Sequence, residues 1–143
     1  MDVDHNAPAV ARAERVVAAP QDAVWRLISD IESWPAWNPG VRSARLEGEL
    51  APGSTFRWKA GPGTIISTLQ SVEPEREIGW SGRTMGIEAV HVYRLEPVGD
   101  DTRVVSEESW AGWPVRLLRA RMRRMLERSL RTGLEHLETA ARR

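Results

Sequence analysis

No cysteine occurs among the 143 residues, which removes disulfides, thiolate nucleophiles and cysteine-ligated zinc in one step. Net charge is also missing. Twenty basic and twenty acidic side chains cancel, so no overall field draws the chain to nucleic acid or an anionic surface. Lysine is nearly absent, since Lys59 is the one ammonium side chain and every other basic residue is arginine. No apolar run approaches a membrane span, and the opening stretch MDVDHNAPAVARAER lacks the apolar centre of a secretory signal. A soluble, cytoplasmic protein is the expectation. Histidines at 5, 91 and 136 are too scattered for a histidine-built metal site, and HExxH does not occur. P-loop, GxGxxG and GxSxG patterns do not occur either, so no metal and no cofactor are expected.

Proline and glycine organise what is present. Residues 1–10 are polar and rich in proline and alanine, which predicts a flexible tail before a single domain over residues 11–143. ARAERVVA, Ala11 to Ala18, reads as a first strand. PQDAVWRLISDIESW then carries Val24, Leu27, Ile28 and Ile31 at helical spacing, with Pro20 and Asp22 at its start. Prolines 35 and 39 leave room only for a second short helix or turn around Trp34 to Asn38. From Val41 to Gly112 six strands follow one another through Pro-Gly, Gly-Pro-Gly and Gly-Asp-Asp turns, the pattern of an antiparallel meander. Phe56 and Trp58 alternate with Arg57 and Lys59, and Ile78 and Trp80 share a side. TIISTLQSVE is strand-like without a readable period, so its faces are not assigned. After Trp113-Pro114 the period becomes helical to the end. Val115, Leu118, Met122, Met125, Leu126, Leu130, Leu134 and Leu137 make one apolar stripe.

This order of elements, the segment APQDAVWRLISDIESWPAWNPGV and the hairpin HVYRLEPVGDDTRVVSEE resemble the START-like (SRPBCC) superfamily. Within it the likeness is to the polyketide cyclase/dehydrase and lipid-transport group, and it covers roughly residues 11–140. The resemblance implies an α+β helix-grip fold. A seven-stranded antiparallel sheet would wrap round the long C-terminal helix, with two short helices after the first strand and a cavity between sheet and helix. SWPAWNP would then close one end of the sheet, Trp34 and Trp37 plugging its floor while Pro35 and Pro39 fix the turn.

Counting back from the Gly99-Asp100 turn pairs Leu95 with Val104, Tyr93 with Ser106 and His91 with Glu108. Side chains alternate along a strand, so these residues share the face toward the long helix. Directly opposed residues have Cβ atoms about 4.5–5.5 Å apart, within reach of an imidazole–carboxylate hydrogen bond. A neighbouring carboxylate raises the imidazole pKa and fixes its tautomer, while burial opposes the charge. Three readings stay open: acid–base catalysis next to a carbonyl with Tyr93 donating to an enolate oxygen, orientation of a polar ligand group, or a pair that is purely structural or turned to solvent by a register slip. Trp58, Trp80, Trp110, Met122, Met125 and Leu126 are the candidate apolar lining.

The expected function is therefore binding of a small hydrophobic molecule, a lipid or aromatic polyketide-like compound. The alternative is an aromatic polyketide cyclase/dehydratase using His91, Glu108 and Tyr93. A less favoured third is a partner-binding module like the Hsp90-activator branch of the superfamily. No nucleic acid and no integral membrane association are expected, and homo-oligomer formation is left open. A basic amphipathic helix suits an anionic membrane or an acidic partner, but the arginine-rich stretch Arg116 to Arg131 is read first as the solvated face of the helix, with Glu127 at ion-pair spacing from Arg123 and Arg131.

Overall fold

Turn residues divide the chain where the physical chemistry requires it. The computed structural model describes all 143 residues. In chain order it forms β1 (Ala9–Val17), α1 (Gln21–Ser29), a 3₁₀ turn (Ile31–Ser33), α2 (Trp34–Trp37), β2 (Val41–Glu47) and β3 (Thr55–Ala60). There follow β4 (Gly63–Glu73), β5 (Glu77–Thr84), β6 (Ile87–Val98), β7 (Asp101–Ala111), α3 (Trp113–Leu117) and α4 (Arg119–Ala141). The seven strands form one antiparallel sheet in the order β1-β7-β6-β5-β4-β3-β2. First and last strands therefore pair, while β2 is left at the far edge. This is the α+β helix-grip expected from the resemblance.

The β6–β7 hairpin adopts the register counted from its turn. Leu95 faces Val104, Tyr93 faces Ser106 and His91 faces Glu108. Gly99 supplies the positive φ, 62°, that the tight connection needs. Strand β4 explains its unreadable period. A bulge between Leu69 and Ser71 shifts the alternation, so Ser67 and Leu69 point inward before it and Val72 after it. No helix is long and apolar enough to cross a membrane.

The apolar interior has two parts. The larger gathers buried Val24, Ile28, Trp34, Phe56, Leu69, Ile78, Trp80, Leu95, Val104, Leu134 and Leu137 at the end closed by α1 and α2. Trp34 sits at its centre, with ring centroids 5.6 Å from Phe56, 5.5 Å from Trp58 and 5.3 Å from Trp80. Its indole N–H donates to the Ile28 carbonyl at 2.9 Å, so the buried donor is satisfied. The smaller part joins Ala9, Ala11, Val115, Leu126 and Leu130 at the opposite end. Helix α4 lies along β1, β7 and α1, and the alanines of β1 allow its close approach.

Two sequence expectations need correction. The C-terminal stripe is not one helix, because Leu118 (φ −118°, ψ 39°) interrupts it between α3 and α4 and is itself exposed. Residues 1–10 are not a free tail either, since β1 already begins at Ala9 and the segment before it is held in place. Val3 is buried, the Asp4 backbone N–H donates to the Ser109 hydroxyl at 3.1 Å, and Arg94 donates to the Met1 carbonyl at 2.6 Å. The segment lies on the outer face of β6 and β7, held by one apolar side chain and by charged partners that composition alone concealed.

Candidate functional site

The inward-facing residues of β5, β6 and β7 bring a polar group into an otherwise apolar interior. Across the sheet, Leu69, Trp80, His91, Glu108 and Ala11 form one row of paired positions. His91 Nδ1 lies 3.2 Å from a Glu108 oxygen, and the other Glu108 oxygen accepts from the Trp110 indole N–H at 2.7 Å. His91 Nε2 lies 2.8 Å from the Ser106 hydroxyl. The imidazole is stacked on Tyr93, centroids 4.6 Å apart, and tilted against Trp80 at 4.9 Å. His91 and Ser106 are buried, and the Glu108 side chain is only 15% exposed.

Burial dominates the electrostatics. It pushes the Glu108 carboxyl up to about 7, with the Trp110 N–H pulling weakly the other way. It also lowers the His91 imidazole to about 3. The Tyr93 phenol is raised well above its ordinary value by burial and then by the Glu108 charge. Of the two opposing influences expected on His91, burial outweighs the neighbouring carboxylate. Taking an imidazolium out of water in this enclosed setting costs more than the neighbouring carboxyl returns. Near neutral pH the pair has two hydrogen-bond arrangements. Protonated Glu108 donates to Nδ1, so that Nε2–H donates to Ser106. Ionised Glu108 accepts from Nδ1–H, so that Nε2 accepts the Ser106 proton. One proton therefore sets the direction of the whole chain of hydrogen bonds.

Serine, histidine and glutamate in contact have the order of a hydrolytic triad, but the setting argues otherwise. Ser106 is 1% exposed and stands beneath His91 and Tyr93, where no acyl group could approach its oxygen. Its role is to satisfy His91. Ser106 was legible as the partner of Tyr93 in the hairpin count, yet only the folded geometry turns it toward the imidazole. Ser67 was not legible, because the bulge hides its face; its hydroxyl accepts from the Trp58 indole N–H at 3.0 Å.

Residues 8–142 match the family model described as polyketide cyclase / dehydrase and lipid transport. The chain belongs to that family. No curated protein sequence matches it. Its fold is shared with a hypothetical protein of Helicobacter pylori at TM-score 0.86 and 15% identity, over 97% of this chain and 91% of that one. The Zhui aromatase/cyclase of Streptomyces sp. R1128 superposes at TM-score 0.80 and 17% identity, over 94% and 93%. A START superfamily protein of Mycobacterium smegmatis does so at 0.79 and 15%, over 93% and 97%. At such identities these likenesses carry the fold.

Within this family member, the site residues expected from sequence do not all converge. Trp80, His91, Tyr93, Glu108 and Trp110 form one continuous patch. Trp58 stands two strands away on β3 and reaches the patch through Trp34. Met122 and Leu126 face the smaller core cluster beside Trp110. Met125 does not join them. It is 46% exposed, because at 100° per residue it sits far round the helix from Leu126. Two surface depressions, about 390 and 310 Å³, lie elsewhere, one at Pro20, Gln21 and Pro97 and the other at Arg76, Glu77 and Arg94.

Proposed function

We propose that this family member binds a small hydrophobic molecule, a lipid or aromatic polyketide-like compound, between the sheet and α4. One observation carries this reading. The inner-face residues Trp58, Ile65, Ala89 and Trp110 are only half-buried, although their strands have neighbours on both sides. Helix α4 runs along β1 and β7, and its Leu134 and Leu137 close the end near α1, while the inner positions around Ile65, Gly82 and Ala89 carry less cover. Short side chains at Ala89 and Gly82 keep that face low, and the aromatic rings beside it suit a flat or flexible apolar ligand. Tyr93 and Glu108 border it and would orient a polar group of the ligand.

A second reading, a cyclase/dehydratase using the same residues, is favoured by one feature. Glu108 is held near 7, where a carboxyl can both take and return a proton. Against it, both His91 nitrogens and both Glu108 oxygens already have partners inside the protein. Binding needs no change in those bonds, whereas proton transfer to a substrate would have to break one. The test is a thermal-shift screen against fatty acids, sterols, flavonoids and aromatic polyketides. A ligand at 100 times its dissociation constant adds about 2.7 kcal/mol, a rise of roughly 5–10 °C for a domain of this size. A flat response to every class would sink the binding reading. Given a ligand, His91→Gln should weaken binding only modestly; loss of a measured turnover with binding retained would move the assignment to catalysis.

A further inference from the structure

The neutral chain hides a strongly uneven distribution of charge. Residues 113–131 contain seven arginines (116, 119, 121, 123, 124, 128 and 131) and one acid, Glu127. All seven are exposed, and none forms an ion pair; the expected partnership of Glu127 with Arg123 and Arg131 is not made. Arg121, Arg124, Arg128 and Arg131 recur at helical spacing on the side of α4 opposite buried Leu126.

At the start of these helices lie the most exposed of the large apolar side chains. Trp113 is 70% exposed, Leu117 73% and Met85 66%. They belong to one built end of the fold. A Cβ on Gly112 would lie 2.1 Å from the Gly86 carbonyl oxygen, and one on Gly86 would lie 2.8 Å from the Trp113 indole nitrogen. Both glycines have positive φ, 115° and 81°. The β5–β6 turn and the start of α3 are thus interlocked through two positions that admit no side chain, and the interlock holds the apolar tip outward. Burying Trp113 and Leu117 against the molecule would satisfy the hydrophobic effect, yet the geometry presents them to solvent.

We infer that this end, with Met85, Trp113, Leu117 and Leu118 at its tip and the α3–α4 arginines around it, docks on an anionic phospholipid surface. The chemistry is complementary on both counts. Aliphatic and indole groups partition into the headgroup–acyl boundary, and arginines beside them meet lipid phosphates. An acidic protein would meet the arginines but gives no reason for four exposed apolar side chains at the tip. The inference stands apart from the ligand-binding reading, since it needs no occupied interior.

The test is co-sedimentation of the intact protein with phosphatidylcholine vesicles, with and without phosphatidylglycerol. Binding is expected to the anionic vesicles and to fall as salt rises from roughly 0.05 to 0.15 M. Leu117→Ser should weaken it roughly tenfold through lost apolar burial. Replacing Arg121, Arg124 and Arg128 by glutamine should weaken it on the order of a hundredfold, about fivefold per arginine. These side chains are exposed, so an unchanged melting temperature certifies the fold of each variant. No binding to anionic vesicles, or equal binding to neutral ones, would overturn the inference. So would vesicle binding that depends on the arginines but is indifferent to Leu117→Ser, because an acidic surface of any kind would then suffice.

Discussion

One sheet and one helix make two very different ends. At the end closed by α1 and α2, large side chains interlock: Trp34 meets Phe56, Trp58 and Trp80, with Leu69, Ile78, Leu134 and Leu137 around them. At the other end the sheet contributes Ala9 and Ala11, the helices contribute Val115, Leu126 and Leu130, and Trp110 and Met122 are half-buried. Packed volume at the first end stabilises the fold. At the second, the inner-face positions Ile65, Gly82, Ala89 and Trp110 remain half-buried. The row of Trp80, His91 and Glu108 marks the boundary between them.

The difference should appear first in stability. Trp34→Ala removes the centre of a tightly packed cluster and an indole hydrogen bond, and is expected to cost about 3–5 kcal/mol. Leu126→Ala, fully buried but at the end with looser surroundings, should cost nearer the low limit for such truncations, about 2 kcal/mol. Urea unfolding of both variants measures the contrast. Equal losses would mean that the two ends are packed alike, and the distinction would fail.

The boundary itself has a pH signature. His91 is lowered to about 3 from 6.5, so its contribution to stability is full above pH 6.5 and is lost as pH falls toward 3. Glu108 is raised from 4.5 to about 7, so its contribution is full below pH 4.5 and is lost as pH rises through 7. Between pH 4.5 and 6.5 the two trends oppose, and the native pair should leave stability nearly flat. Removing either partner exposes the other. Glu108→Gln should make unfolding free energy rise with pH in that window, by up to about 1.4 kcal/mol per unit. His91→Gln should make it fall with a similar slope. Slopes of the same sign in the two variants would refute burial as the dominant influence on the pair.

How far the sequence revealed this follows from which signals are local. A hairpin register depends on its turn, so Gly99-Asp100 was enough to set His91 against Glu108 and Tyr93 against Ser106. The helix-grip order was legible because turn residues and period changes mark each element. The faces of β4 were not, since one extra residue between Leu69 and Ser71 breaks the alternation. The electrostatics of the pair could not be read either. The balance between burial and a neighbouring charge depends on packing from every side, and here Trp80 and Tyr93 seal the imidazole. The break at Leu118 falls within a run that is helical in every local respect, and only the backbone angles disclose it.

The smallest expected effect gives the sharpest check on the open end, because it compares neighbours in sequence. Met125 and Leu126 are both apolar and both on α4, but one is 46% exposed and the other 0%. Met125→Ala should change stability by no more than about 0.5 kcal/mol, the usual range for a surface position. Its thermal midpoint should then move by only about 1–2 °C. Ligand binding between sheet and helix should also survive it, since the side chain points away from the inner face. A loss comparable to that of Leu126→Ala would show Met125 turned inward in solution. It would return that residue to the lining and rotate the first turns of α4 relative to the sheet.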